Sequence, residues 1–201
     1  MKVIALACSA RKRGNCYAIA NIMLRHLETK GLETEILNAY DYKITPCSNC
    51  DYECFEFPKS CPIQDDVPEI WEKMKDADGV VLAIPTYYGM PSALCKSIID
   101  REQGILNWIT PEFRNLDSVW KEKTVALIVV ANGGGENVKN IVLGYFPAQT
   151  KKLAEIFSYC IYNTVGYKGD LTKNKEVVSK AKQLAEDMYH LLKQEKVRNF
   201  M

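Results

Sequence analysis

Along the chain, short unbroken apolar runs alternate with longer stretches in which apolar positions recur every three or four residues. Residues 2–8, 33–37, 80–84, 123–131 and 158–165 are runs of the first kind, and they read as strands buried on both faces. Stretches of the second kind read as helices. Residues 15 to about 30 carry Ile19, Ile22, Met23, Leu24 and Leu27 on one face and stop at Gly31. A helix from Asp65 or Asp66 to about 76 places Val67, Ile70, Trp71 and Met74 together. Residues 91 to about 101 start with Pro91, a residue suited to a first helical turn. A further helix falls within about 138–157. The clearest runs from 173 to about 194, with Val177, Ala181, Leu184, Met188 and Leu191/Leu192 at helical spacing. Alternating helices and continuous apolar strands predict a parallel sheet covered by helices on both faces.

Length and charge narrow this picture. A chain of 201 residues suits one compact domain, 1–201. The one compositional break is a polar, cysteine-rich stretch at about 40–64, which reads as an insertion carrying a site. Residues 103–123, with Trp108, Phe113 and Trp120, are a long connection packed on the core, or else a lid or interface. A formal net charge of +1 argues against nucleic-acid and membrane surfaces, which draw on a basic excess. No apolar run approaches the roughly 18 residues that span a bilayer. Met1-Lys2 leads straight into the first strand, so a cytoplasmic location is expected.

In such a sheet, ligands bind beyond the carboxyl ends of the strands where the strand order reverses. With the order 2-1-3-4-5, three loops meet there. The first holds Ser9, Arg11, Gly14, Asn15 and Cys16 and opens a helix. Its backbone amides and the helix dipole favour an anion, Ser9 and Asn15 can donate, and Arg11 adds charge. A phosphate suits it. The bland alternative is a solvated basic turn with an Asn cap. The loop is not a Walker A sequence and has no G-x-G-x-x-G, which excludes the common ATPase and dinucleotide fingerprints. The second loop, Pro85, Thr86, Tyr87, Tyr88 and Gly89, offers amides and aromatic faces to the edge and face of a flat ring. Its tyrosines can equally pack on the next helix. Gly133, Gly134 and Gly135 let backbone approach a ligand closely, or form a flexible turn. Phosphate pocket, ring pocket and open backbone edge together describe a flavin mononucleotide (FMN) site.

Three motifs carry a resemblance: Ser9-x-Arg11-x-x-Gly14-Asn15, the run Ala77-Asp78-Gly79-Val80-Val81 leading into residues 85–89, and Lys96-x-x-x-Asp100-Arg101. With them the chain resembles the NADPH-dependent FMN reductase-like family of the flavodoxin superfamily, above all its iron–sulfur flavoproteins. The match covers most of the chain and is strongest over residues 3–101. The resemblance implies a flavodoxin-like fold, FMN phosphate at Ser9, Arg11, Gly14 and Asn15, and the isoalloxazine at residues 85–89 with Gly133 to Gly135 nearby. It implies structural roles for Asp100 and Arg101, and a homodimer or homotetramer. The family usually has Ser or Thr after the Asn. Here Cys16 takes that place, and its thiol is a poorer donor.

Four of the eight cysteines are gathered as Cys47-x2-Cys50-x3-Cys54-x6-Cys61. The family's iron–sulfur members carry Cys-x2-Cys-x2-Cys, four to seven residues, then Cys. The second gap here is one residue longer. Four thiolates in fifteen residues of irregular chain can wrap a 4Fe–4S cubane, which presents four separate iron corners. Zinc, disulfides and idle thiols are the alternatives. Cys8, Cys95 and Cys160 read as small core residues. His26 and His190 stand alone on helices, with surface or core roles expected.

With no Ser/His/Asp or metal–histidine constellation, the chemistry belongs to the cofactor. The expected function is an FMN-dependent oxidoreductase passing electrons from NAD(P)H or a ferredoxin-like donor to a quinone, flavin or other small acceptor. A non-enzymatic electron carrier and a zinc-binding or redox-sensing protein of the same fold are the alternatives.

Overall fold

The structure, a computed structural model, describes residues 1–48, 50, 51, 53–55, 60–106, 120, 123–146, 151–158 and 170–198. Strands β1 (Lys2–Ala7), β2 (Glu33–Asn38), β3 (Gly79–Tyr87), β5 (Thr124–Ala131) and β6 (Lys151–Ser158) form a parallel sheet in the order β2-β1-β3-β5-β6. Counting these strands alone, this is the expected order 2-1-3-4-5. A two-residue strand, β4 (Met90–Pro91), folds back antiparallel on the end of β3.

Successive residues of each central strand point to opposite faces. Ile4 and Leu6, Val80, Leu82 and Ile84, and Val125, Leu127 and Val129 face one core layer. There they meet α2 (Val67–Lys75), α3 (Ala93–Asp100) and α5 (Gly135–Tyr145) through Ile70, Trp71, Met74, Cys95, Ile98, Val138 and Val142. Val3, Ala5, Val81, Ala83, Ala126 and Ile128 face the other layer. It is filled by α1 (Asn15–Thr29) and α6 (Lys175–Arg198), through residues such as Ile19, Met23, Leu27, Leu184 and Met188. Both faces are covered, which is why the strands read as unbroken apolar runs. Each fully buried aliphatic side chain contributes about 1.5–3 kcal/mol of transfer free energy.

Two elements differ from expectation. The helix expected within 138–157 ends at Tyr145, and the next strand is Lys151–Ser158 rather than 158–165. Pro147 explains the stop, because the residue before a proline is pushed out of the helical region. Phe146 is indeed extended, with φ −80° and ψ 141°. Residues 159–165, Cys160 among them, lie outside the described residues, as do Trp108 and Phe113 in the 103–123 connection. Pro91 is not in a first helical turn. It belongs to β4, an edge position that needs no N–H. Ser92 caps α3 instead, its Oγ accepting from the Cys95 N–H at 3.2 Å.

At the described ends of the 103–123 connection, α4 (Glu102–Leu106) begins it and Trp120 closes it. Trp120 is buried edge-on against Trp71 (centroids 5.7 Å) and Phe146 (4.8 Å). His26 clasps α1 to α6 through Glu186, at 2.6 Å. Among the described residues, no helix is long and apolar enough to cross a membrane.

Candidate functional site at the carboxyl edge of the sheet

The loop from β1 into α1 is shaped by its own side chains. Ser9 is buried, and its Oγ accepts from the Arg11 N–H at 3.2 Å. The hydroxyl proton is then still available to an anion. Gly14 is extended, with φ −76°, not left-handed. Its need for no side chain is steric: an added Cβ would lie 3.1 Å from Arg11 Cβ and 3.4 Å from Ser9 Oγ. The first N–H groups of α1 have no partner within the helix, so the loop ends in a set of donors. Asn38, at the end of β2, fixes the loop from the side by donating to the Lys12 carbonyl (2.6 Å) and to Asp41 Oδ2 (3.0 Å). The Asn15 carboxamide oxygen accepts from the Leu171 N–H at 3.1 Å, tying this corner to the turn before α6. Cys16 is buried in the layer beneath α1. Burial pushes its thiol up to about 12, with the Arg11 charge acting the other way, so it stays a neutral, unreactive group.

The second and third loops touch. Tyr88 and Gly89 form the turn between β3 and β4 with φ of 52° and 76°, the signature of a type I′ hairpin. Tyr88 thus adopts a left-handed conformation that costs a non-glycine residue roughly 1–2 kcal/mol. Its side chain is fully exposed and Tyr87 is half-exposed. Gly134, at φ 72°, lies against this turn: an added Cβ would stand 3.0 Å from Gly89 Cα. Gly133 has open space around it, and Gly135 is buried as the first residue of α5. Ser92 stitches the hairpin to the first loop by donating to the Cys8 carbonyl at 2.7 Å. Thr86 Oγ1 is enclosed with no hydrogen-bond partner among the described residues. A buried hydroxyl of this kind ordinarily has a partner. A ligand's polar ring edge would supply one, and Pro85 and Thr86 are only partly buried. The residues present therefore fit a flavin.

The cysteine segment is held by one side chain. Arg101, at the end of α3, is fully enclosed. Its Nη1 donates to the Thr45 carbonyl (3.1 Å) and Asp65 Oδ2 (2.5 Å), its Nη2 to the Ile63 carbonyl (3.4 Å), and its Nε to Cys61 Sγ (3.4 Å). Burial works to raise the Asp65 carboxyl, but bonds from Arg101 and from the Thr45 and Val67 amides outweigh it and hold it low. Gly104 in α4 accepts from the Cys61 N–H at 2.5 Å and packs on Cys54, where a Cβ would come within 2.6 Å of the Cys54 Cβ. Burial raises the Cys47 thiol, and the Cys50 and Cys61 thiols nearby add to this. Burial likewise raises Cys54, with Cys50, Cys61 and Cys47 adding to it. Cys54 and Cys61 meet at Gly104. Among the described residues no three ligand-type side chains gather closely enough to hold a single metal ion, and no cysteine forms a disulfide. Four cysteines in one short segment are a donor set that an iron–sulfur cluster takes, one thiolate to each iron corner.

Ser92, Asn38 and Gly104 were not singled out by the sequence reading. Ser92 carried a usable signal, a serine just ahead of a helical apolar pattern. Asn38 and Gly104 carried none, since their partners are distant in sequence.

A parallel sheet in this order, helices on both faces, and a composite site beyond the carboxyl ends of β1, β3 and β5 define a flavodoxin-like α/β protein. The sequence profile of the NADPH-dependent FMN reductases matches residues 1–159, and the chain belongs to that family of flavin-dependent oxidoreductases. An iron-sulfur flavoprotein of Methanocaldococcus jannaschii is 42% identical over 103 residues, covering 51% of this chain and 52% of that protein. An FMN-dependent NADPH-azoreductase of Staphylococcus aureus is 27% identical over 135 residues, 67% of this chain and 62% of that protein. The chain spans about half the length of the curated iron-sulfur flavoproteins it matches. A solved NAD(P)H:quinone oxidoreductase from Methanothermobacter marburgensis superposes with a TM-score of 0.73 at 15% identity, covering 94% of this chain and 98% of that one.

Proposed function

We propose that the protein is an FMN-dependent oxidoreductase that takes electrons from NAD(P)H or a ferredoxin-like donor and passes them to a quinone, a flavin or another small acceptor. The observation that carries this reading is the contact of Gly134 on Gly89 beside the enclosed, unpartnered Thr86 hydroxyl. It joins two loops into one backbone-lined edge next to the amino end of α1. Ser9, Arg11, Gly14 and Asn15 bind the phosphate, with Cys16 filling the space below. Pro85, Thr86, Tyr87, Tyr88 and Gly89 border the ring, with Gly133, Gly134 and Gly135 closing its edge. Bound FMN supplies hydride acceptance and the conversion between two-electron and one-electron transfer. The chain's own residues would anchor the phosphate and orient the ring, with the exposed Tyr88 at its border.

Cys47, Cys50, Cys54 and Cys61 hold a 4Fe–4S cluster in this reading. The packing of Cys54 and Cys61 at Gly104 and the Arg101 bond to Cys61 Sγ support it. The family resemblance favours a cytoplasmic, single-domain protein that assembles as a homodimer or homotetramer.

Purification without oxygen, followed by visible absorption and iron analysis, tests both cofactors. Flavin bands with a broad brown shoulder and about four irons per chain are expected. A colourless protein that takes up no added FMN overturns the flavin reading. NAD(P)H oxidation with added quinone or flavin then separates a reductase from a carrier, and no turnover with either nucleotide removes the reductase.

A further inference from the structure

The buried guanidinium of Arg101 does more than close a helix. Among the described residues, the hydrogen-bond partners of its side chain lie in one segment: Thr45 before the first clustered cysteine, Cys61 itself, and Ile63 and Asp65 just after it. A single side chain therefore draws the two ends of the cysteine segment together. An arginine serving only as an ion-pair partner presents a two-nitrogen fork to the carboxylate. Here the carboxylate receives Nη1, and Nε is turned to sulfur. A neutral thiol is a weak acceptor. An ionised sulfur accepts a charge-assisted bond, and ionised sulfur is the form that ligates metal. The Asp65 carboxylate offsets the Arg101 charge, so Cys61 receives a directed N–H more than a net positive field. Bonds of this kind to the sulfurs of a cluster help set its reduction potential.

The same side chain connects the two candidate sites. Arg101 ends the helix that begins at Ser92, directly after the hairpin expected to border the flavin ring. The eight-residue α3 is about 12 Å long. Beyond Arg101, Gly104 of α4 packs on Cys54. A rigid element thus runs from the ring loop to the cysteines.

We propose that Arg101 is the positioning residue of the iron–sulfur site, fixing Cys61 as a ligand and setting the cluster's potential through its Nε–H. This rests on reading the cysteine segment as a cluster site. Arg101→Lys keeps the charge but loses the planar fork that reaches Thr45, Cys61, Ile63 and Asp65 at once.

The test compares wild type and Arg101→Lys, both purified without oxygen, reconstituted with ferrous iron and sulfide, and checked for full FMN content as the control for folding. We expect the variant to lose its iron to a chelator about tenfold faster or more, and its cluster midpoint to move to a more negative potential. In wild type grown with 15N-arginine, the reduced cluster is expected to show a magnetic coupling to an arginine nitrogen. A variant with full FMN, wild-type iron retention and wild-type potential overturns the proposal while leaving the cluster in place. Should the variant fail to fold, the isotope measurement decides alone, and an absent coupling overturns the proposal. A wild type that binds FMN but no iron overturns the cluster reading itself, and the proposal with it.

Discussion

Tyr88 is held in a backbone conformation that suits glycine or asparagine, with its ring wholly in solvent. Strain of this kind is kept where function requires the side chain. Tyr88→Asn is expected to leave stability unchanged or raise it by up to about 1 kcal/mol, while weakening FMN binding. Urea melts of the apoprotein and flavin fluorescence titration read the two effects separately. Equal FMN affinity in both proteins would remove Tyr88 from the ring site. Gly134 presents the opposite case. Its positive φ and the 3.0 Å approach to Gly89 Cα leave no place for a methyl group. Gly134→Ala should cost about 1–3 kcal/mol and lower FMN affinity, because the two loops are forced apart. Circular dichroism melts with and without FMN check this. At this scale the sequence named the residues, and the structure changed the reason for one of them. A glycine such as Gly14 ordinarily signals a turn that needs positive φ, yet its φ is ordinary and the constraint is Arg11 Cβ.

Among elements, the short helix α4 is the least legible from sequence and the most informative about the cysteines. Five residues with a glycine at their centre show no amphipathic period. Their placement is fixed by contact: Gly104 accepts from the Cys61 amide and lies on Cys54. Gly104→Ala is therefore expected to lose iron while retaining FMN, since the flavin loops are built on other elements. Iron analysis beside the flavin absorbance measures it, and wild-type iron content in the variant would count against the contact. The misplaced strand after α5 has a different cause. Leu153, Ile156 and Phe157 stand among lysines and a glutamate at spacings that also suit a helix face. Pairing with β5, from Thr124 against Lys151 to Ala131 against Ser158, decides for a strand. Pro147 is the local signal that ends the helix before it.

Across the whole molecule, one buried acid ties two helices of the same layer together. Glu102, beside Arg101, is almost fully buried and meets the Tyr145 hydroxyl of α5. Burial pushes its carboxyl up to about 8, with the Trp120 hydrogen bond acting against this. A raised value in the folded state means that folding favours the protonated acid. The stabilisation is complete below the ordinary value of 4.5 and is lost as pH rises through 8. Between the two, stability falls by up to about 1.4 kcal/mol per pH unit. Glu102→Gln, neutral throughout, removes that slope, so its advantage over wild type should grow from pH 5 to pH 8. Denaturant midpoints across that range measure it, and parallel curves for the two proteins would contradict it.

The sequence by itself determined the class of fold, the strand order and the three loops that meet at one edge. These depend on periodicity, turn residues and topology, all of which are local or follow from general rules of chain connection. It also marked the four clustered cysteines. Only the tertiary structure decided how those parts are held. Asn38 on Lys12, Gly134 on Gly89, Ser92 on Cys8, and Arg101 on Thr45, Cys61, Ile63 and Asp65 are contacts between segments up to 84 residues apart. Such pairs leave no periodic trace in a single sequence. They exist because packing both faces of the sheet brings distant polar groups into one interior, where each must find a partner.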